Sequence, residues 1–429
     1  MAKKNAIYFN ASLQSNILLS NNWPINYSFH QIPLYTLKSN NRAHAKQPQQ
    51  IMMLKTRNPL LIALSTLLLT ACAGAPLEQT NKTAINNANA SAISAKTGWE
   101  VENSPLSADR TQFIKQVSQR YGIPESYIQN LLGNAQYNER VANLIMPQGP
   151  KGRIKRVWPS YRARFVDPIR LRHGTEFWDA NRSALNQAER QYGVPAAIIA
   201  SIIGVETVYG RYMGSFRMLD TLYTLGFNHP DASRPEKSQM FRNQLAALIN
   251  LDYQGKLSAL QEEGSFAGAT GLPQFMPISI LHYAIDGDKN GKIDLRNSKE
   301  DAIMSVANFL LKHGWQNNTP VFAPVRLPAN PASLVDGGLE PYLSWAQLQS
   351  SGATLTGNGN NSNWKLGKQL GVINLPDEIR GQTEYRTATP NFFAITKYNR
   401  SYFYATAVAD LAQALAQKQR DNGYNVIFP

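Results

Sequence analysis

A single cysteine in 429 residues means that no disulfide can form within this chain. Its six histidines (His30, His44, His173, His229, His282, His313) show no HExxH or other metal-ligand spacing, which disfavours a zinc enzyme. There is no G-x-S-x-G nucleophile elbow, and the serine of the GSFAG segment at residues 264–268 stands in the wrong place to make one. A glycine-rich phosphate loop, a repeat array and a heptad pattern are also missing. Acidic residues are absent from residues 1–71, which hold seven of the 43 basic residues. The remainder has 36 basic against 29 acidic residues, a modest excess that suits an anionic polymer or membrane surface, or is ordinary solubilising charge. No Lys/Arg block or aromatic-basic reading motif accompanies it, so no nucleic-acid partner is expected. With 43% hydrophobic and 17% charged residues, the bulk of the chain is expected to fold.

The lone cysteine has an informative setting. Lys55 and Arg57 precede an apolar run from Leu60 to Leu69, then small residues and Cys72. That order is the one found in secretory signal peptides. The run is shorter than the roughly 20 apolar residues of a membrane-spanning helix. Leu69-Thr70-Ala71-Cys72 resembles the bacterial lipobox, whose cysteine is acylated and becomes the mature N-terminus. The following Ala73 rather than Asp favours, by the same resemblance, the outer membrane. The expectation is a protein lipid-anchored through Cys72 on the periplasmic face of that membrane. Residues 1–51 are expected to be a misassigned upstream extension, residues 52–71 the signal peptide and residues 72–105 a flexible Ala/Asn/Ser/Thr-rich tether.

Folded character begins near Ser107. Phe113, Val117 and Tyr121 recur at helical spacing before Gly122-Ile123-Pro124, and Gly193-Val194-Pro195 repeats that punctuation ahead of another helix. Residues 237–262, 299–312 and 403–416 also read as helices. Residues 317–390 are rich in Pro, Val, Gly and Asn; the run GNGNNSN at residues 357–363 reads as a loop, and residues 321–327 as part of a small β insertion.

The helix at residues 195–209 carries the most informative residue. Ile198, Ile199, Ile202, Ile203 and Glu206 share the i, i+3, i+4 stripe that should face a core. Glutamate is rarely buried without a purpose. Desolvation favours a protonated carboxyl, which makes such a group a proton donor near neutral pH. The pattern equally allows a glutamate at a helix end paired with Arg211.

The wider sequence resembles the lytic murein transglycosylase B family. IIGVETVYGRYMG (residues 202–214), LDTLYTLGF (219–227), GSFAGATGLPQFMP (264–277), SVANFLLKHGW (305–315) and ITKYNRSYFYATAV (395–408) carry the resemblance in consistent order, with weaker similarity at NAQYNERV (134–141). The resemblance implies a mainly α (α+β) fold: a lysozyme-like catalytic core with an additional helical domain and a small β insertion, together filling residues 106–429. It implies cleavage of the bond between N-acetylmuramic acid and N-acetylglucosamine in peptidoglycan glycan strands, with formation of a 1,6-anhydro sugar. Glu206 matches the catalytic acid/base. Ordinary glycosidases need two carboxylates, whereas this family uses the substrate's own C6 hydroxyl as nucleophile, an intramolecular attack with a large effective molarity. By the same resemblance Tyr161, Ser265, Gln274, Tyr398, Asn399 and Tyr404 would contact substrate, although each tyrosine also reads as a core residue. The sequence departs from the family at Thr270 (often Met) and Ile278-Ser279 (often Ser-Ser). The stretch at residues 229–238 is longer than usual, in a region that helps contact stem peptides.

Residues 286–291 (DGDKNG) match the start of an EF-hand loop, and equally a solvated Asp/Asn/Gly turn. The twelfth position is Asn297 rather than Glu. The resemblance implies a longer loop at residues 286–301, with Asp286, Asp288, Asn290, the Lys292 carbonyl and Asp301 holding a structural Ca²⁺. No cofactor is expected for catalysis, and a monomer is expected. Two competing readings are a hydrolysing, lysozyme-like muramidase and a non-catalytic glycan-binding envelope lipoprotein.

Overall fold

The computed structural model describes residues 102–146, 154–356, 363–366, 368–426 and 428. The expectations for Cys72, the signal peptide, the tether up to residue 101 and the GNGNNSN run up to residue 362 lie outside those residues; at the end of the expected tether Glu102 is buried and pairs with His282.

The N-terminal helices are α1 (Arg110–Tyr121), α2 (Glu125–Gly133), α3 (Glu139–Ile145), α4 (Trp158–Arg162), α5 (Pro168–Ala180), α6 (Arg182–Tyr192) and α7 (Ala196–Thr207). The Gly-x-Pro punctuation behaves as read. Gly122 and Gly193 both take φ +68°, the left-handed cap that ends α1 and α6. Pro124 and Pro195 then stand in extended backbone at the starts of α2 and α7.

Strand β1 (Phe216–Arg217) leads into α8 (Met218–Phe227) and α9 (Pro235–Tyr253). The latter was expected to run to residue 262; it stops at Tyr253, beyond which Gly255 adopts φ +68° and turns the chain. Strand β2 (Glu263–Gly264) returns antiparallel to β1, and α10 (Pro277–Tyr283) and α11 (Lys299–Lys312) follow. Ser298 caps α11 by accepting from the Asp301 N–H, so this helix begins where the sequence placed it.

The β insertion is larger than expected. Within residues 321–327 only β3 (Val325–Arg326) is a strand. After β4 (Leu343–Ser344) and α12 (Trp345–Ser350) comes β5 (Thr354–Leu355), which pairs with β3. The main feature is a hairpin of β6 (Lys368–Asp377) and β7 (Gln382–Ala388), with β4 on the other side of β6. Gly371 and Pro376 interrupt β6 in sequence and disguise it. Pro376 is tolerated because β4 reaches only the beginning of β6; beyond it the strand is met on that side by a single bridge of Val157 with Asp377. Two helices close the chain, α13 (Pro390–Tyr398) and α14 (Tyr402–Asp421).

Among the described residues the apolar side chains gather into three clusters. One joins α1–α3 to α8 and α9, around Phe113, Leu132, Leu222, Phe241 and Leu245. The largest surrounds α7, with α11 and α14 against it. The smallest lies under the β insertion around Trp364, Leu348 and Val372. The mainly helical fold with a small β element is therefore as expected. Among the described residues no helix is long and apolar enough to cross a membrane.

Candidate active site

Every residue of α7 is buried, so the helix is enclosed on all sides rather than presenting one stripe to a core. Glu206 lies in its last turn with no exposed surface. The ion pair that Arg211 forms is with Glu176, at 3.6 Å. The Oε1 atom of Glu206 instead accepts a hydrogen bond from the Tyr404 hydroxyl at 2.6 Å.

The backbone beyond Glu206 is strained. Val208 and Tyr209 adopt φ +50° and +59°, a region unfavourable to any side chain and most of all to a β-branched one. Thr207 holds this turn. Its hydroxyl, with one proton to donate, lies between the carbonyl oxygens of Leu272 (3.1 Å) and Ile203 (3.2 Å), and accepts from the Gly210 N–H. The ring of Tyr209 folds back against Gly204 and Gly174, and a Cβ at either glycine would run into its phenol. Sequence reasoning singled out the glutamate of the V-E-T motif but missed the threonine beside it, which anchors the turn.

One tyrosine contacts the carboxylate and two more feel its charge. Tyr404, in the first turn of α14, is buried and stacks on buried Tyr398 at the end of α13 with ring centroids 6.4 Å apart. Tyr398 donates its hydroxyl hydrogen bond to the Pro273 carbonyl. Half-buried Tyr161, on α4, packs edge-on against Phe403 at 5.3 Å. Burial pushes the Tyr161, Tyr398 and Tyr404 phenols above the ordinary tyrosine range, and the charge of Glu206 adds to the shift in all three. They therefore stay protonated, as donors, at physiological pH. Glu206 is the carboxylate common to all three.

Gln274 and Ser265 belong to the loop that covers this turn. Gln274 takes φ +52° and donates to the carbonyls of Gly271 (3.0 Å) and Met213 (3.3 Å), bridging the loop to the segment after Glu206. Ser265 accepts from the Ala269 N–H and so folds the loop on itself. At Gly214 the backbone comes so close to Gly264 that no side chain fits, and its φ of +82° suits glycine alone. Asn399 follows Tyr398 in extended backbone, buried, with its carbonyl accepting from Ser401 N–H. Among these residues, the direct hydrogen bond to Glu206 comes from Tyr404; Gln274, Ser265 and Asn399 shape the surrounding loops.

A second constellation forms at the start of α11. Carboxylate oxygens of Asp286, Asp288 and Asp301 lie within 4.8 Å of one another. Asp301 is fully buried, and its two oxygens accept backbone N–H bonds from Gly287 (2.8 Å) and Asp294 (2.7 Å). Three like charges this close repel unless a cation joins them, and an all-oxygen set suits a hard divalent ion. Asn290 is in the loop, but its amide oxygen accepts from the Lys292 N–H and its amide donates to Asp288. Asn297 bonds to Asp294, away from the three converging carboxylates.

Comparison with known proteins gives a consistent set of matches. Residues 106–413 match the family described as Transglycosylase SLT domain. The chain is 35% identical over 327 residues to the membrane-bound lytic murein transglycosylase B of Escherichia coli K12, covering 74% of this chain and 85% of that one. It superposes on the crystal structure of the soluble lytic transglycosylase SltB1 of Pseudomonas aeruginosa with a TM-score of 0.63 at 35% identity, covering 72% and 98% of the two chains. The E. coli lytic transglycosylase Slt35, solved in complex with calcium, gives a TM-score of 0.60 at 36% identity, over 72% and 93%.

Proposed function

Because this chain belongs to the Transglycosylase SLT domain family and is a lytic murein transglycosylase that cleaves glycosidic bonds of peptidoglycan, we propose that Glu206 alone supplies both proton transfers of the reaction. In the first step the Glu206 carboxylic acid protonates the glycosidic oxygen between N-acetylmuramic acid and N-acetylglucosamine as the C1–O bond breaks. In the second, the carboxylate takes the proton of the muramic acid C6 hydroxyl while that oxygen bonds to C1, closing the 1,6-anhydro ring. The attack is intramolecular, so no water and no second carboxylate take part.

The observation that carries this reading is the buried Glu206–Tyr404 hydrogen bond. The Tyr404 hydroxyl orients the buried carboxyl by holding one of its oxygens. Tyr161, Tyr398 and Asn399 would meet the sugar, which offers apolar C–H faces and hydroxyls. Gln274 and Ser265 would keep the loop beneath it in place. Replacement of Glu206 by Gln should abolish sacculus digestion while leaving sacculus binding intact; undiminished digestion would remove Glu206 from its role.

Asp286, Asp288 and Asp301 would hold a structural Ca²⁺, with Asn290 and the Lys292 carbonyl completing the shell. Its contribution is to order residues 286–301 against α11. The Slt35 complex with calcium supports this reading. Cys72 would anchor the chain to the periplasmic face of the outer membrane as a monomer, with residues 106–429 as the catalytic region. The E. coli relative's description as membrane-bound is consistent with an envelope location. A Cys72→Ser variant should move from the membrane fraction to the soluble periplasm.

A further inference from the structure

Helix α4, which carries Tyr161, has only five residues and too few internal hydrogen bonds to hold itself. Its two ends are tied by one closed ring of polar contacts. Trp158 Nε1 donates to Glu384 Oε2 at 3.1 Å, and Glu384 Oε1 accepts from Arg386 Nε at 2.6 Å. Arg386 Nη1 donates to Asp410 Oδ1 at 2.6 Å, and Asp410 Oδ2 accepts from Arg162 Nε at 2.5 Å, back on α4. The ring thus joins α4, strand β7 and helix α14.

Asp410 is the centre of this arrangement. Its side chain is only 6% exposed, so water and salt screen its two guanidinium contacts little. It lies seven residues, about two turns, after Phe403 on the same face of α14. Phe403 is the ring on which both Trp158 and Tyr161 pack, at 5.3 Å each. Tyr404, the next residue, is turned about 100° around the helix axis, towards Glu206. One helix therefore presents the donor to the catalytic carboxylate and, one residue earlier, the platform under Tyr161.

We propose that Asp410 is a positioning residue for catalysis: through the ring Trp158–Glu384–Arg386–Asp410–Arg162 it sets Tyr161 at a fixed place opposite Glu206. The catalytic carboxylate and the glycan-contacting tyrosine come from separate elements, α7 and α4, and α14 is the common support. The hairpin of the β insertion then has a role in the reaction, since β7 supplies two of the five members of the ring. This inference rests on the reading of Tyr161 as a substrate contact.

A double-mutant cycle in the full chain tests it. Initial rates on sacculi at limiting substrate are compared for Asp410→Asn, Tyr161→Ala and the double variant. If Asp410 acts through Tyr161, Asp410→Asn lowers the rate about tenfold in the parent and causes no further loss in the Tyr161→Ala background. The same factor lost in both backgrounds overturns the proposal, because Asp410 would then support the fold in general. If Tyr161→Ala leaves the rate unchanged, the reading of Tyr161 fails and the proposal falls with it. Should Asp410→Asn not fold, Trp158→Phe opens the ring at its opposite end by removing one hydrogen bond and keeping the ring stack. It must give the same pattern, and independence from Tyr161 would again refute the proposal.

Discussion

The Tyr404 hydroxyl and Glu206 Oε1 lie 2.6 Å apart although 198 residues separate them in sequence. The bond joins the end of one wholly enclosed helix to the start of another, and fixes a carboxyl group in a setting shut off from bulk water. Removing the donor with Tyr404→Phe keeps the ring and its stacking. The expected result is a fall in turnover of at least about tenfold, as for the loss of a hydrogen bond to a charged group. A Tyr404→Phe variant with unchanged kcat would show that Glu206 needs no such support.

Alkaline pH should unfold this protein through its buried phenols. Tyr161, Tyr398 and Tyr404 have folded-state pKa values raised above the ordinary 10.0, chiefly by burial and then by the charge of Glu206. Their contribution is fully present below about pH 10 and is lost as pH rises, because the unfolded chain ionises these groups first. Denaturant unfolding measured between pH 8 and pH 11 should show a steep loss of stability above pH 10, and Tyr398→Phe should make that loss shallower.

The glycine one turn before Thr207 is expected to tolerate no side chain. Gly204→Ala drives a methyl group into the Tyr209 phenol and so pushes on the strained turn that follows Glu206. Overpacking of this kind costs about 1–3 kcal/mol. Thermal melts should record that loss together with reduced cleavage, whereas Gly133→Ala, where a Cβ meets nothing, should leave cleavage unchanged.

Much of this was legible in the sequence, for identifiable reasons. Gly122 and Gly193 announced their caps because glycine before x-Pro has few other uses. Glu206 stood out because a carboxylate among isoleucines has a cost that local pattern alone does not offset. The hairpin of β6 and β7 was hidden, since Gly371 and Pro376 break its alternation and its stability comes from pairing and from the cluster beneath it. Thr207, Phe403 and Asp410 gave no local signal; each has a partner far away in sequence, 65 residues for Thr207 with Leu272 and 248 for Asp410 with Arg162.

Calcium should stabilise the fold without entering the chemistry. Saturation at about 100 times Kd adds about 2.7 kcal/mol. EDTA is therefore expected to lower the Tm by several degrees, and Asp301→Asn to abolish the difference between calcium and EDTA. A melt insensitive to both would leave residues 286–301 as a polar turn.

In the proposed chemistry one glutamate performs acid and base steps with the substrate's own hydroxyl as nucleophile. Mass spectrometry of the muropeptides released from purified sacculi tests it most directly. The expected products end in 1,6-anhydromuramic acid, lighter by one water than hydrolysis products, with none from the Glu206→Gln variant. Reducing-end products from the parent enzyme, or anhydro products from Glu206→Gln, would contradict it.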